Sequence, residues 1–162
     1  MDILKEYFKN KNKKKNISSL VPLIEQNLCH FLYYYDKFSN NKINPLYIEE
    51  TKNGYIRNYM FIDEELDFEI ILIEWKPDSI SPIHNHADKG CVMLLLDGSL
   101  IETRYKETNK GIVSSSVEQI LKHNVSFIEN KKGIHKIENI SKNNSVFSLH
   151  IYSPPKHKAK IF

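Results

Sequence analysis

From residue 55 onward, the sequence consists of short stretches rich in β-branched and aromatic residues. Each stretch has the length and composition of a β-strand. The stretches are 55–62, 68–75, 91–96, 100–105, 118–121, 125–128, 134–140 and 146–152. Turn signals such as Asn53-Gly54 and Asp97-Gly98 separate them. Strands of this number and spacing predict a mainly β domain, built as a sandwich or a small barrel.

A helical region precedes the strands. Apolar residues recur at spacings of three and four across 17–38, with Ser18 or Ser19 in place as a helix cap. This periodicity predicts one amphipathic helix, and Asn44-Pro45 interrupts the pattern after it.

The remaining segments set the domain boundaries. Residues 45–50 suit one or two further helical turns, and we expect the barrel to occupy about 54–155. The Lys- and Asn-rich segment 1–16 is expected to be solvated or frayed, which leaves a single domain over 17–162.

Length and charge exclude several classes of protein. The chain has 162 residues, and 23 Lys and Arg against 20 Asp and Glu give a net charge of +3. A charge this small over one domain does not predict nucleic acid as a partner. Unbroken apolar runs such as 70–73 and 92–96 are far shorter than the roughly 20 residues of a membrane span. We expect a monomer, with neither nucleic acid nor a membrane as a partner.

The cysteines and the N-terminus indicate a reducing compartment. Two distant cysteines, Cys29 and Cys91, make neither a disulfide framework nor a structural zinc site. Charge begins at Asp2, and no apolar stretch resembling a secretory signal follows it. The sequence therefore predicts a cytoplasmic protein.

A pair of histidines is the first candidate for chemistry. His84 and His86 lie two residues apart, so on an extended segment their side chains share a face and can hold one metal ion. Because the chain has seven histidines, a chance pair explains the spacing as well. His135, on a later strand, would complete a facial set of three neutral ligands with open positions for substrate or oxygen.

These residues carry a resemblance to a known superfamily. The string His84-x-His86-x4-Cys91-x6-Gly98 resembles the first cupin motif, with cysteine where most cupins have a ligand glutamate, and His135-x3-Asn139 resembles the second. Within the cupins, the sequence is similar to animal-type cysteine dioxygenases over roughly 45–157. That similarity lies in four segments: 55–58, Trp75 with its nine-residue step to His84, 133–139 and 148–155.

The resemblance implies a fold and a reaction. The fold would be a cupin β-barrel, a small jelly roll, behind the α-helical N-terminal segment. The activity would be oxidation of L-cysteine by O2 to cysteine sulfinic acid at one Fe(II) per chain, held by His84, His86 and His135. Cysteine would chelate the iron through its thiolate and amine. A thiolate would offset the charge that three neutral ligands leave on the metal, and redox-inert zinc would not reduce O2.

Arg57 has two interpretations. Taken alone, it is a strand residue whose charge faces solvent. By the resemblance, its guanidinium binds the substrate α-carboxylate and Tyr55 donates a hydrogen bond nearby. Related dioxygenases acting on 3-mercaptopropionate lack this arginine, so Arg57 favours cysteine as the substrate.

Cys91 and Tyr152 likewise have a plain interpretation, as a buried thiol and an ordinary tyrosine. By the resemblance, they become joined as a thioether that tunes the enzyme. Ser148, His150 and Tyr152 alternate on one strand face, where they would hold the phenol and orient its proton toward bound oxygen. The resemblance also allows a cis Ser153-Pro154 bond.

Three further histidines, His30, His123 and His157, are expected to be structural or surface residues. Family members continue past Ser153-Pro154-Pro155, so here either the N-terminal helices close the core or the pocket is more open and retains substrate more weakly. Two alternatives to a cysteine dioxygenase remain: a dioxygenase for another small thiol such as 3-mercaptopropionate, and a cupin that binds metal without redox turnover.

Overall fold

A computed structural model describes residues 2–10, 17–129 and 133–162 of the chain. Within these ranges the helices are α1 (Asp2–Lys9), α2 (Leu20–Gln26) and α3 (Leu28–Ser39). The strands are β1 (Tyr47–Glu50), β2 (Tyr55–Asp63), β3 (Phe68–Trp75), β4 (Cys91–Leu95), β5 (Ser99–Thr108), β6 (Gly111–Leu121), β7 (Val125–Ile128), β8 (Ile134–Glu138) and β9 (Val146–Tyr152). The prediction of a mainly β domain behind helices is confirmed.

The strands form two antiparallel sheets. The larger has the order β1-β2-β3-β9-β4-β7, and the smaller has the order β6-β5-β8. Inward side chains of both sheets share one apolar cluster, in which Ile73 and Leu95 of the larger sheet meet Leu100 and Ile137 of the smaller. The two sheets therefore pack face to face around a common interior.

Strand β3 lies at the centre of the larger sheet, between β2 and β9. Its side chains alternate between two apolar clusters. Phe68, Ile70 and Leu72 pack with the helices, while Ile71 and Ile73 face the smaller sheet. Because both faces are covered, the strand is an almost unbroken apolar run, as expected for a fully buried strand.

The prediction of one helix over 17–38 is wrong in detail, because Asn27 divides it. The Asn27 side chain donates a hydrogen bond to the Leu23 carbonyl, 2.8 Å away, which ends α2. The Asn27 carbonyl then accepts a hydrogen bond from the His30 amide, 2.9 Å away, as α3 begins. Ser19 precedes α2, but its side chain makes no capping hydrogen bond; its hydroxyl lies 2.5 Å from Tyr7 Oη of α1.

The helical turns predicted within 45–50 are also wrong. Tyr47–Glu50 is the edge strand β1, which pairs with β2 in the register Tyr47 to Tyr59. The Leu46 amide also donates to the Tyr59 carbonyl across 2.7 Å. Pairing with a neighbouring strand has overridden a weak local preference, which short segments commonly allow.

The N-terminal segment departs from the expectation of a frayed chain. Asp2–Lys9 forms α1, and Leu4, Tyr7 and Phe8 are buried. Phe8 stacks on Phe68 of β3 with 4.2 Å between ring centroids, so α1 contributes to the main apolar cluster. The rest of the Lys- and Asn-rich prediction falls on 11–16, outside the described residues. Within the described ranges, no helix is long and apolar enough to cross a membrane.

Candidate metal centre and substrate cavity

Three histidines meet where the β3–β4 connection crosses β8. His84 and His135 form a backbone bridge, each amide donating to the other's carbonyl across 3.0 Å. This bridge brings together residues that are far apart in sequence, and His86 follows two positions after His84. The ligand nitrogens of all three rings lie within 4.8 Å of one another. The structure therefore brings together the three residues that the sequence singled out as ligands.

Each ring donates through Nδ1 to an oxygen, which leaves Nε2 with its lone pair. The acceptors are the Pro82 carbonyl for His84 at 2.9 Å, the Gly133 carbonyl for His86 at 3.1 Å and the Glu102 carboxylate for His135 at 2.6 Å. Second-sphere acceptors of this kind orient histidine ligands in metal sites.

Burial keeps the imidazoles neutral. It lowers the pKa of His86 and of His135 well below the usual value for histidine, and the neighbouring imidazoles lower both further. Neutral imidazole is the form that binds a metal. Three neutral nitrogen donors that share one space fit a divalent transition metal.

A cavity of about 420 Å³ adjoins His84. Its walls include Tyr55, Arg57 and Tyr59 of β2, together with Tyr152 of β9. Tyr55, Arg57 and Tyr59 occupy alternate positions of β2, so their side chains lie on the same, inward face of the strand. Arg57 therefore faces this cavity rather than open solvent as a plain strand charge would.

Two residues that the sequence did not single out hold Arg57. Its Nη1 donates to Glu49 Oε2 at 3.3 Å, and Tyr59 Oη donates to the same oxygen at 2.9 Å. The Arg57 guanidinium also lies 5.6 Å from the centre of the Tyr55 ring. Glu49 could not be found from sequence, since its strand β1 was mistaken for helix.

A line of hydrogen bonds runs along the inward face of β9. Trp75 Nε1 donates to Ser148 Oγ at 2.8 Å, and Ser148 Oγ lies 2.8 Å from His150 Nε2. On the far side of that ring, Nδ1 lies 3.4 Å from Tyr152 Oη. Because the indole can only donate, Ser148 Oγ accepts from Trp75, and its own hydrogen is available to His150 Nε2. The Tyr152 hydroxyl also makes a hydrogen bond with the Cys91 side chain, at the cavity wall.

Charge states in this line follow from burial. Burial, with Arg57 nearby, lowers the pKa of His150 to about 3, so the ring is neutral. Burial, with Cys91 beside it, raises the pKa of Tyr152 well above its usual value, so the phenol keeps its proton.

Cys91 and Tyr152 are direct cross-strand partners on β4 and β9. The Cys91 sulfur lies 3.7 Å from His150 Nδ1, and burial raises the pKa of the thiol. The bond between Ser153 and Pro154 is cis.

Residues beyond the Ser-Pro-Pro turn form one wall of the cavity. The Asn85 amide donates to the Lys160 carbonyl at 3.2 Å, and the Phe162 amide donates to the Ile83 carbonyl at 3.0 Å. His157 belongs to this wall; His30 is an exposed residue of α3, and His123 lies in a turn. Residues 156–159 and Ile161 thus line the cavity, while the N-terminal helices cover the apolar core on the other face of the larger sheet.

Solved structures with low sequence identity share the fold of this chain. A cupin-2 domain from Rhodospirillum rubrum matches with a TM-score of 0.58 and 13% identity, over 72% of this chain and 74% of that one. An RmlC-like cupin from Shewanella frigidimarina matches with a TM-score of 0.54 and 13% identity, over 68% and 86%. The fold is the cupin β-barrel, as the motifs indicated.

Sequence similarity defines the family more narrowly. The profile of cysteine dioxygenase type I matches residues 34–162. Cysteine dioxygenase type 1 of Rattus norvegicus is 34% identical over 116 residues, which cover 68% of this chain and 56% of the relative. That of Bos taurus is 38% identical over 93 residues, covering 54% and 46%. The chain belongs to the cysteine dioxygenase type I family, and it spans about half the length of the relatives it matches.

Proposed function

We propose that the chain is an iron-dependent thiol dioxygenase that oxidises L-cysteine with O2 to cysteine sulfinic acid. The observation that carries this proposal is the set of three neutral imidazoles directly beside a cavity that contains Arg57. Membership of the cysteine dioxygenase type I family supports the same reaction.

The metal would be one Fe(II) per chain, held by His84, His86 and His135. When bound, it would take the thiolate and amine of cysteine and bring O2 to the sulfur, which is redox chemistry that side chains lack. The identity of the metal is part of the proposal, and it rests on the family and on the nitrogen donor set.

Arg57 would anchor the substrate carboxylate. Its Nη1 is engaged by Glu49, so the remaining N–H groups can fork onto a carboxylate in the cavity. Tyr55 would donate a further hydrogen bond from the same strand. An anchored carboxylate places the thiol toward the three histidines.

Tyr152 would hold a proton at the cavity wall. The line from Trp75 through Ser148 and His150 reaches the phenol oxygen. The phenol hydrogen, which bonds to Cys91 in the structure, would be given to an oxygen atom near the sulfur. The neutral His150 ring donates to the phenol oxygen and fixes its position.

Cys91 and Tyr152 would become joined as a thioether that tunes turnover without being required for it. The new bond replaces the thiol hydrogen and one ring hydrogen of Tyr152, and O2 accepts the two electrons and the two protons and leaves as hydrogen peroxide. Their cross-strand pairing supports this assignment. We further propose a cytoplasmic monomer whose single domain extends the predicted bounds of 17–162 to include α1, because Leu4 and Phe8 of that helix pack in the main apolar cluster.

The experiment is anaerobic purification with metal analysis, followed by O2 uptake with a panel of thiols. We expect iron, and O2 uptake with L-cysteine that exceeds uptake with 3-mercaptopropionate. Zinc or nickel without O2 uptake would favour a non-redox cupin, and a preference for 3-mercaptopropionate would favour the other thiol dioxygenase.

Arg57→Ala tests the carboxylate anchor. We expect KM for L-cysteine to rise about 10- to 100-fold, as for loss of a charged hydrogen-bonded pair. KM for cysteamine, which lacks the carboxylate, should change less than about twofold on the same grounds. Arg57→Lys is the matched control, since it keeps the charge and loses the fork; it should recover only part of the affinity.

A further inference from the structure

His135 differs from the other two histidines in the group that its Nδ1 contacts. His84 and His86 each face a neutral backbone carbonyl. His135 faces a carboxylate, with 2.6 Å between its Nδ1 and Glu102 Oε1. One of the three imidazoles therefore has a charged acceptor behind it.

Glu102 is itself firmly held. Its side chain is only 2% exposed. Its second oxygen, Oε2, accepts a hydrogen bond from Arg104 Nη2 at 3.1 Å and another from Ser126 Oγ at 3.2 Å. A buried carboxylate with both oxygens engaged cannot easily turn away from His135.

The topology explains how the network is assembled. Glu102 and Arg104 lie two apart on β5, and Arg104 is the direct cross-strand partner of His135 on β8. Ser126 comes from β7, which belongs to the larger sheet, and Arg104 Nη2 also donates to Ser126 Oγ at 2.9 Å. The network thus joins the two sheets behind the histidine cluster.

We propose that Glu102, held by Arg104 and Ser126, is a positioning residue for the metal centre. It fixes His135 with the proton on Nδ1 and the lone pair on Nε2. It also supplies a negative charge that three neutral imidazoles lack. The inference rests on the metal centre of the proposed function but not on the reaction carried out there.

Charge and hydrogen bonding can be separated at this position. Glu102→Gln keeps an oxygen that accepts from Nδ1 and removes the charge, whereas Glu102→Ala removes both. Glu118→Gln is the matched control, because Glu118 is the cross-strand partner of Glu102 on β6 and its side chain is exposed. Glu118→Gln removes one negative charge, as Glu102→Gln does, and leaves the hydrogen bond to His135 in place.

The tautomer of His135 is the first measurement. In metal-free protein, nitrogen-15 NMR of the imidazoles should report a proton on Nδ1 of His135 in the wild type and in Glu118→Gln. In Glu102→Ala, the Nε2-protonated tautomer should appear at His135, while His84 and His86 keep theirs. An unchanged tautomer at His135 in Glu102→Ala would overturn the proposal.

Iron affinity is the second measurement, made anaerobically by competition with a ferrous chelator. Loss of a second-sphere partner typically weakens metal binding about 10- to 100-fold. We expect Glu102→Ala to fall in that range, Glu102→Gln to lose less, and Glu118→Gln to match the wild type. Equal affinity in the wild type and both Glu102 variants would overturn the proposal.

Glu102→Gln keeps the experiment decisive if Glu102→Ala does not fold. Neither measurement depends on turnover. Tight iron binding that depends on Glu102, without oxidation of any thiol, would contradict the proposed function and leave this inference standing. Cysteine oxidation together with an iron affinity that does not depend on Glu102 would support the proposed function and overturn this inference.

Discussion

The two faces of the larger sheet are built from the same strands but have different roles: one packs against the helices and the other lines the candidate site. On the face toward the helices, β3 contributes Phe68, Ile70 and Leu72, and β9 contributes Leu149 and Ile151, all with 0% exposure. On the opposite face, β3 contributes the apolar Ile71 and Ile73 and the buried Glu69, and β9 presents Ser148, His150 and Tyr152. Because side chains alternate along a strand, one face of the sheet is apolar and the other carries the polar residues of the candidate site.

The difference shows what each face needs in order to be stable. Burial of the apolar side chains under the helices stabilises the fold, by roughly 1.5–3 kcal/mol for each large side chain. Burial of a polar group destabilises the fold unless the group is hydrogen-bonded. The line from Trp75 to Tyr152 meets this need. We therefore expect changes on the helical face to alter stability and changes on the inner face to alter chemistry.

His86→Ala should have the largest effect. Removing one of three ligand nitrogens should abolish iron binding and reduce turnover to the background of metal-free protein, because two imidazoles do not retain the ion under dilute conditions. Metal analysis and O2 uptake measure both. His30→Ala, at an exposed site on α3, is the control and should keep iron and activity. Retention of iron by His86→Ala would show that the ligand assignment is wrong.

Leu72→Ala tests the helical face. It should lower the free energy of unfolding by about 2–5 kcal/mol, the usual cost of a cavity in a packed core. Urea denaturation measures this loss, and iron affinity of the folded protein should stay close to the wild-type value. A loss of iron affinity without a loss of stability would contradict the division between the faces.

A smaller effect is expected from pH, through His150. Its folded-state pKa of about 3 lies below the unfolded value. Between those two pH values the unfolded chain binds more protons than the folded protein does. The contribution of His150 to the stability of the fold is therefore complete above about pH 6.5 and is lost as the pH falls toward 3. The slope from one such group is at most about 1.4 kcal/mol per pH unit.

His150→Gln should flatten this profile by up to that amount in metal-free protein. Urea denaturation at several values between pH 7 and pH 4 measures the slope, which is independent of any constant loss of stability in the variant. An identical slope in the wild type and the variant would mean that the His150 ring is not held neutral by its surroundings.

The inner strands of the larger sheet were largely predictable because β3, β4 and β9 are buried on both faces. Phe68–Trp75, Val125–Ile128 and Val146–Tyr152 have the bounds expected from composition alone. Burial leaves a plain apolar signature there, and turn residues mark the ends. The exposed strand β6 was predicted only over 118–121, because its earlier part carries serines and solvent-facing residues without alternation.

Helix boundaries and the edge strand were harder to predict. The break at Asn27 depends on a side-chain hydrogen bond to Leu23 and a backbone hydrogen bond from His30. Strand β1 depends on pairing with β2. Neither cause is visible in a local pattern.

Residues of the candidate site divide in the same way. His84, His86 and His135 could be selected from motif spacing, and the structure brings them together. Glu102 was missed, although a signal existed: it lies two residues after Leu100, at an inward position of β5 where a charge is unexpected. Glu49 left no signal, because its contact with Arg57 is made across strands.

The most direct test of the central claim is the fate of isotopically labelled oxygen. Iron-loaded protein is supplied with L-cysteine and ¹⁸O2, and the product is analysed by mass spectrometry alongside O2 consumption. The account predicts cysteine sulfinic acid that carries two labelled oxygen atoms, with one O2 consumed for each sulfinate formed. Cystine and hydrogen peroxide as the products, or a sulfinate without label, would contradict it.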